Sequence, residues 1–167
     1  MSHTCSSLLM HCMDFRFGKK MKEFMEQNNL LGDADLVSIA GAAQNIVKPE
    51  TQAFALRQLE ISKDLHGMKI VHLVNHTDCG AYGGKKAFDD EKAEYDKLTG
   101  DLKEAAQIVK TKWPELEVKL WLAHINEAGH EVDISFEAIP KNRLTRKPKF
   151  AILLMDSSCD MPSSPRR

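Results

Sequence analysis

The chain has 167 residues, with 23 basic against 24 acidic side chains and a net charge of −1 at pH 7. That length suits one domain over residues 1–167, and 43% apolar with 28% charged residues suits a globular protein. The balanced charge leaves no electrostatic footprint for nucleic acid or an anionic membrane, and no apolar run nears the ~20 residues of a spanning helix.

MSHTCSSLLM lacks the basic start and long apolar stretch of a secretion signal, so a cytoplasmic protein is expected. There, Cys5, Cys12, Cys79 and Cys159 read as metal ligands, catalytic groups or buried thiols rather than disulfides.

In chain order, Ser7 to Met10 reads as a first strand running into Cys12. Lys19 to Leu30 places Met21, Phe24, Met25 and Leu30 on one side, a helix stopped by Gly32. Leu36 to Ile39 reads as a second, buried strand, followed by the small-residue turn Ala40-Gly41-Ala42-Ala43. Pro49 opens a helix that continues through Leu65 to Gly67. Lys69 to Asn75 is β-branched and apolar, a central strand, and His76 to Gly84 is a glycine-rich loop.

Leu98, Leu102, Ala105, Val109 and Trp113 mark one face of a long helix ended by Pro114. Val118 to Ile125 and Val132 to Phe136 read as paired strands around a turn at Gly129. The fold expected is α/β: a mostly parallel central sheet flanked by helices, with a C-terminal antiparallel hairpin. From about residue 143 an extension is expected, with a basic linker to Lys149, an edge strand over Phe150 to Met155 and a loose tail from Ser157.

The chemistry concentrates in two short motifs. In HCMDFRF, positions 12, 14 and 16 carry a thiol, a carboxylate and a guanidinium. In an extended chain, alternate positions share one face. In NHTDCG, His76 and Cys79 stand three apart. Both motifs follow predicted strands, and in parallel α/β sheets functional groups gather beyond the strands' C-terminal ends.

If the two strands are neighbours, Cys12, His76 and Cys79 converge. Two thiolates and an imidazole suit a tetrahedral Zn²⁺ with its fourth position open. Asp14 then either accepts a hydrogen bond from a water on the metal or takes the fourth position itself. Arg16 holds Asp14 by a charge-assisted pair.

CMDFR together with HTDCG resembles the β-class carbonic anhydrases, whose signature is Cys-x-Asp-x-Arg after one strand and His-x-x-Cys after another. The similarity runs from about residue 7 to about residue 134. It implies zinc held by Cys12, His76 and Cys79, with Asp14 and Arg16 as a catalytic dyad. It also implies a zinc lyase that reversibly hydrates CO₂ to bicarbonate, assembled as a homodimer or higher homo-oligomer. The same zinc site would serve a carbonyl sulfide or carbon disulfide hydrolase, or a non-catalytic zinc-binding relative.

This chain departs from the family in three places. Because Cys12 comes so early, the family's usual N-terminal arm is expected to be missing. Ser38-Ile39-Ala40-Gly41 stands where Arg-Asn-Ala-Gly is usual. Phe15 replaces a common Ser and is expected to point away from the metal and affect packing.

Other residues have plainer readings. Asp78 suits an Asx turn. Gly80 to Lys85 invites a phosphate-loop reading, which fails because Cys79 and Lys86 stand where that motif needs Gly and Ser or Thr. His11 and His124 are conceivable proton shuttles. Cys5 and Cys159 read as spectators, His72 as a core histidine, and His3, His66 and His130 as surface residues. The charges from Asp89 to Lys112 read as a solvated helix face.

Overall fold

Apolar residues with β-branched neighbours lay down three parallel strands and a closing hairpin, and the stretches between them form the helices. The computed structural model describes residues 3–128 and 131–140. The strands are β1 (Ser7–His11), β2 (Ala34–Ser38), β3 (Ile70–His76), β4 (Glu117–Ala128) and β5 (Glu131–Ile139). They form one sheet in the order β2-β1-β3-β4-β5. The first four run parallel, and β5 returns antiparallel on β4. This is the expected α/β architecture. The expected turn at Gly129, the linker from residue 143, the Phe150 to Met155 strand and the tail with Cys159 lie outside the described residues.

The side-chain alternation of β1 assigns its two faces. Leu8 and Met10 join Leu73, Leu59, Leu98 and Leu102 in one apolar layer. That layer is covered by α2 (Gln44–Val47), α3 (Pro49–His66) and α4 (Glu91–Lys112). Leu9 points the other way, to Val74, Met21, Phe24 and Met25. That second layer is covered by α1 (Gly18–Gln27). Helices on both faces bury nearly all of β1 and β3, which is why β3 reads as a continuous apolar run.

Several boundaries differ from expectation for local reasons. The first helix ends at Gln27, not Leu30. The Asn28 side chain donates back to the Phe24 carbonyl, and Asn29 turns to φ 55°. The second strand was expected to be buried; it is the sheet edge, and Leu36 is 55% exposed. Helix α2 has four residues, too short for a periodic signal, and went unpredicted. Helix α3 runs as expected from Pro49, and Gly67 closes it in the left-handed conformation at φ 74°. Helix α4 starts where the Asp90 side chain accepts from the Ala93 N–H. No helix among the described residues is long and apolar enough to cross a membrane.

Candidate metal centre

The strand order places the site. The chain leaves β1 towards β2 on one side of the sheet and leaves β3 towards β4 on the other. Between β1 and β3 the winding reverses, and a crevice opens beyond the carboxyl ends of these neighbouring strands. Cys12 follows the last residue of β1, and His76 is the last residue of β3.

The structure brings Cys12, His76 and Cys79 together, with one donor atom from each within 4.8 Å of the others. The Cys12 and Cys79 sulfurs lie 3.9 Å apart. Two thiolates on one tetrahedral zinc stand about 3.8 Å apart, given Zn–S bonds of ~2.3 Å. His76 Nδ1 donates to the Thr77 carbonyl at 2.8 Å. That bond leaves Nε2 as the bare lone pair, and Nε2 is buried without a hydrogen-bond partner among the described residues. A buried, unpartnered imidazole nitrogen costs free energy unless something else meets it. The donor set therefore suits a borderline divalent cation.

The main chain prepares the sulfurs. The Gly41 N–H faces the Cys12 sulfur, and the N–H groups of Ala81 and Tyr82 face that of Cys79. The neighbouring Cys79 thiol, with help from His76, holds Cys12 well below the ordinary thiol range. Cys79 is pushed up by its contact with Cys12 and by burial.

Gly41 sits at φ 77°, and a Cβ there would come 2.9 Å from Gln44 Oε1 and 3.1 Å from Ala81 Cβ. The small-residue turn after β2 is therefore part of the centre: only glycine lets its backbone come this close. Asn75 pins that turn from β3. Its Oδ1 accepts from the Ala43 N–H, and its Nδ2 donates to the Leu98 carbonyl and the Tyr82 hydroxyl. The sequence reading found the turn and missed its task. Gly41 and Asn75 carried no signal beyond composition.

Asp14 and Arg16 were expected to share the Cys12 face of an extended chain. Instead the strand stops at His11, and Asp14 caps a 3₁₀ turn over Phe15–Phe17. The cap bond, from the Arg16 N–H to Asp14 Oδ1 at 2.9 Å, is what stops the strand. The turn still delivers the expected pair. Arg16 grips both Asp14 oxygens through Nε and Nη2, at 2.9 and 2.7 Å.

Arg16 also reaches Asp78, donating to its Oδ2 at 2.9 Å and to its carbonyl at 3.0 Å. It holds both carboxylates below their usual range. Three donors leave Asp14 Oδ2 one free lone pair, and this oxygen lies 4.0 Å from His76 Nε2. Asp14 thus stands at the open side of the three donors.

Asp78 was expected to make an Asx turn; its carboxylate instead takes a backbone N–H seven residues on and holds Arg16. At φ 56°, its Oδ1 accepts from the Lys85 N–H while Oδ2 meets Arg16. Its own N–H donates to the buried carboxylate of Glu94 at 2.6 Å. Phe15 was expected to point away from the metal, yet it borders the same cleft as Cys12 and Asp14. It does not pack: it is 91% exposed. An open cleft of about 500 Å³, lined in part by His11, Cys12, Asp14, Phe15 and Phe17, leads to the site.

His11 donates to the Cys12 carbonyl at 2.7 Å, and His124 pairs with Glu137 at 2.8 Å. His72 is the core histidine expected. It stacks on Trp121 and accepts from its indole N–H at 3.3 Å.

The family model described as "Putative carbonic anhydrase" matches residues 2–135. An uncharacterized protein of Rickettsia bellii (strain RML369-C) is 34% identical over 125 residues, covering 70% of this chain and 75% of the relative. An uncharacterized protein of Rickettsia conorii (strain ATCC VR-613 / Malish 7) is 29% identical over 133 residues, covering 76% of this chain and 72% of the relative.

Proposed function

The chain belongs to the putative carbonic anhydrase family, and on that premise we propose that it is a zinc-dependent carbonic anhydrase of the β class. The reaction is the reversible hydration of CO₂ to bicarbonate and a proton. One observation carries the reading: the buried, unpartnered Nε2 of His76 points into a space shared with two cysteine sulfurs at tetrahedral-zinc spacing. Cys12, His76 and Cys79 would hold the ion. When bound, zinc supplies Lewis acidity that brings a ligand water's pKa to about 7.

The chain's own residues do the rest. Asp14 presents its one free Oδ2 lone pair beside the metal position and accepts a proton-bearing partner there. Arg16 keeps that carboxylate ionised and fixed, so it acts as an acceptor and not as a donor. Asp78 locks Arg16 from the opposite side, and the Glu94 carboxylate holds the Asp78 backbone. The cleft is flanked by Phe15, Phe17 and Met21, an apolar approach suited to an uncharged linear substrate.

We also propose self-association through the β2 side of the cleft. Support comes from the exposed Phe15, Met13 and Leu36 beside β2, an edge of the sheet among the described residues.

The test pairs zinc content with CO₂ hydration on one preparation. Asp14→Asn should keep zinc and lose about a hundredfold in turnover. A zinc-loaded chain inactive from mildly acidic to alkaline pH, or an Asp14→Asn variant of full activity, would sink the reading.

A further inference from the structure

A second cluster of mixed donors lies at the opposite end of the sheet. Cys5 precedes β1, Asp35 is the second residue of β2, and His66 ends α3 just before β3. In parallel strands these positions share the amino end, far from Cys12 and His76. One donor atom from each residue lies within 4.8 Å of the other two. His66 Nδ1 meets Asp35 Oδ2 at 2.7 Å. The Cys5 backbone is tied to the same place by its N–H, which donates to the His66 carbonyl at 3.0 Å.

A second observation points to an absent ligand. The Ser62 hydroxyl, on α3 one turn before His66, is 2% exposed and makes no hydrogen bond among the described residues. It faces both the Cys5 thiol and the Asp35 carboxylate. A buried hydroxyl beside two polar groups, yet in hydrogen-bond geometry with neither, marks a cluster whose atoms are not at their best spacing.

We propose that Cys5, Asp35 and His66 form a second metal site, for a borderline divalent cation of the zinc type. One sulfur, one imidazole nitrogen and one carboxylate oxygen make a mixed tetrahedral set with a fourth position for water. Around such an ion the donor atoms stand roughly 3.3–3.8 Å apart. The His66–Asp35 contact must therefore open by roughly 0.6 Å as the cation comes between them. Binding releases the thiol proton to solvent as Cys5 becomes a thiolate, and the imidazole, bound through Nδ1, carries its proton on Nε2. The Asp35 N–H already faces the sulfur. The ion would clip three separate pieces of chain: the N-terminal segment, the edge strand and the end of α3. On this proposal Cys5, expected as a spectator, and His66, expected at the surface, would both be ligands.

The test is zinc stoichiometry by equilibrium dialysis on the full chain, with Cys5→Ser and Cys12→Ser beside it. Wild type should bind two ions per chain, and each variant one. A wild type that binds one ion, unchanged in Cys5→Ser, overturns the proposal. Two ions retained in Cys5→Ser overturn it as well. If instead Cys12→Ser alone leaves the count unchanged, the proposed catalytic site fails and this one stands.

A measurement without variants guards against misfolding. Alkylation of Cys5 in wild type, mapped by mass spectrometry, should slow at least about tenfold when zinc is added, because the metal withdraws the thiolate from reaction. Equal rates with and without zinc overturn the proposal.

Discussion

The two ends of the sheet each gather a histidine and at least one cysteine, yet they differ in how those groups are satisfied. At the carboxyl end, Cys12, His76 and Cys79 are 6%, 1% and 1% exposed. Backbone N–H groups of Gly41, Ala81 and Tyr82 serve the sulfurs, and the Thr77 carbonyl fixes the imidazole. One nitrogen is left over, pointing inward. At the amino end, Asp35 and His66 are about a third exposed and bond each other. The leftover group there is a neutral hydroxyl. On the proposed readings, burial makes the first cluster the more dependent on a cation, while Asp35 and His66 can rest paired with each other.

The largest effect should separate the two ends directly. Cys12→Ser removes a thiolate from the dry cluster. It should abolish CO₂ hydration and the stability that zinc confers, about 4 kcal/mol when free zinc is a thousandfold above its dissociation constant. Thermal unfolding with and without a chelator reads this out. Cys5→Ser should leave hydration intact and cost less. If Cys5→Ser cost as much as Cys12→Ser, the asymmetry between the two ends would be wrong.

Next comes Arg16. Its guanidinium is 11% exposed and bonds two carboxylates from different loops. Arg16→Ala strands Asp14, which is 14% exposed, and should cost about 3–5 kcal/mol, as the loss of one partner from a buried ion pair does. Arg16→Lys should recover only part of this, because an ammonium cannot grip both Asp14 oxygens and Asp78 at once. Urea unfolding midpoints check both variants. Full recovery by lysine would show that charge alone suffices at the carboxyl end.

These contrasts bear on what the sequence disclosed. Cys12, His76 and Cys79 were legible because each follows an apolar strand and because their residue types suit one metal. The Asp14–Arg16 pair was legible by residue type, although the 3₁₀ turn that forms it was not. A cap bond between neighbours two apart overrode the extended reading, and only coordinates reveal such local competition. Gly41 and Asn75 were invisible as site residues. Their contribution is backbone position, which no side-chain motif advertises. Cys5, Asp35 and His66 were harder still, since each is ordinary alone and 61 positions separate the first from the last. The edge location of β2 escaped for a related reason: strand order depends on where helices pack, and Leu36 to Ile39 is apolar either way.

His72 lies mid-sheet, between the two ends, and supplies a control that involves neither metal. Burial depresses its pKa from the ordinary 6.5 to about 4. Between those values the unfolded chain binds the extra proton, so stability rises with pH across the window. The contribution is complete above pH 6.5 and is lost as pH falls through 4, amounting to about 3 kcal/mol at most. His72→Gln keeps an acceptor for the Trp121 indole and should flatten this slope relative to wild type. Parallel slopes in the two proteins would move the pH dependence to one of the clusters.

The smallest effect is expected at the amino end without metal. In chelator, Asp35→Asn removes one side of a partly exposed pair, and such pairs are worth about 0–1 kcal/mol. Wild type and variant should then unfold within about a degree or two of each other. Added zinc should separate them, because the variant lacks a charged ligand and wild type gains roughly 1.4 kcal/mol for each tenfold excess of zinc over its dissociation constant. The separation must persist in a Cys12→Ser background, where the other centre is disabled. A gap already full-sized in chelator would mean that Asp35 matters to the fold through His66 alone. A gap that zinc opens ties it to the cation.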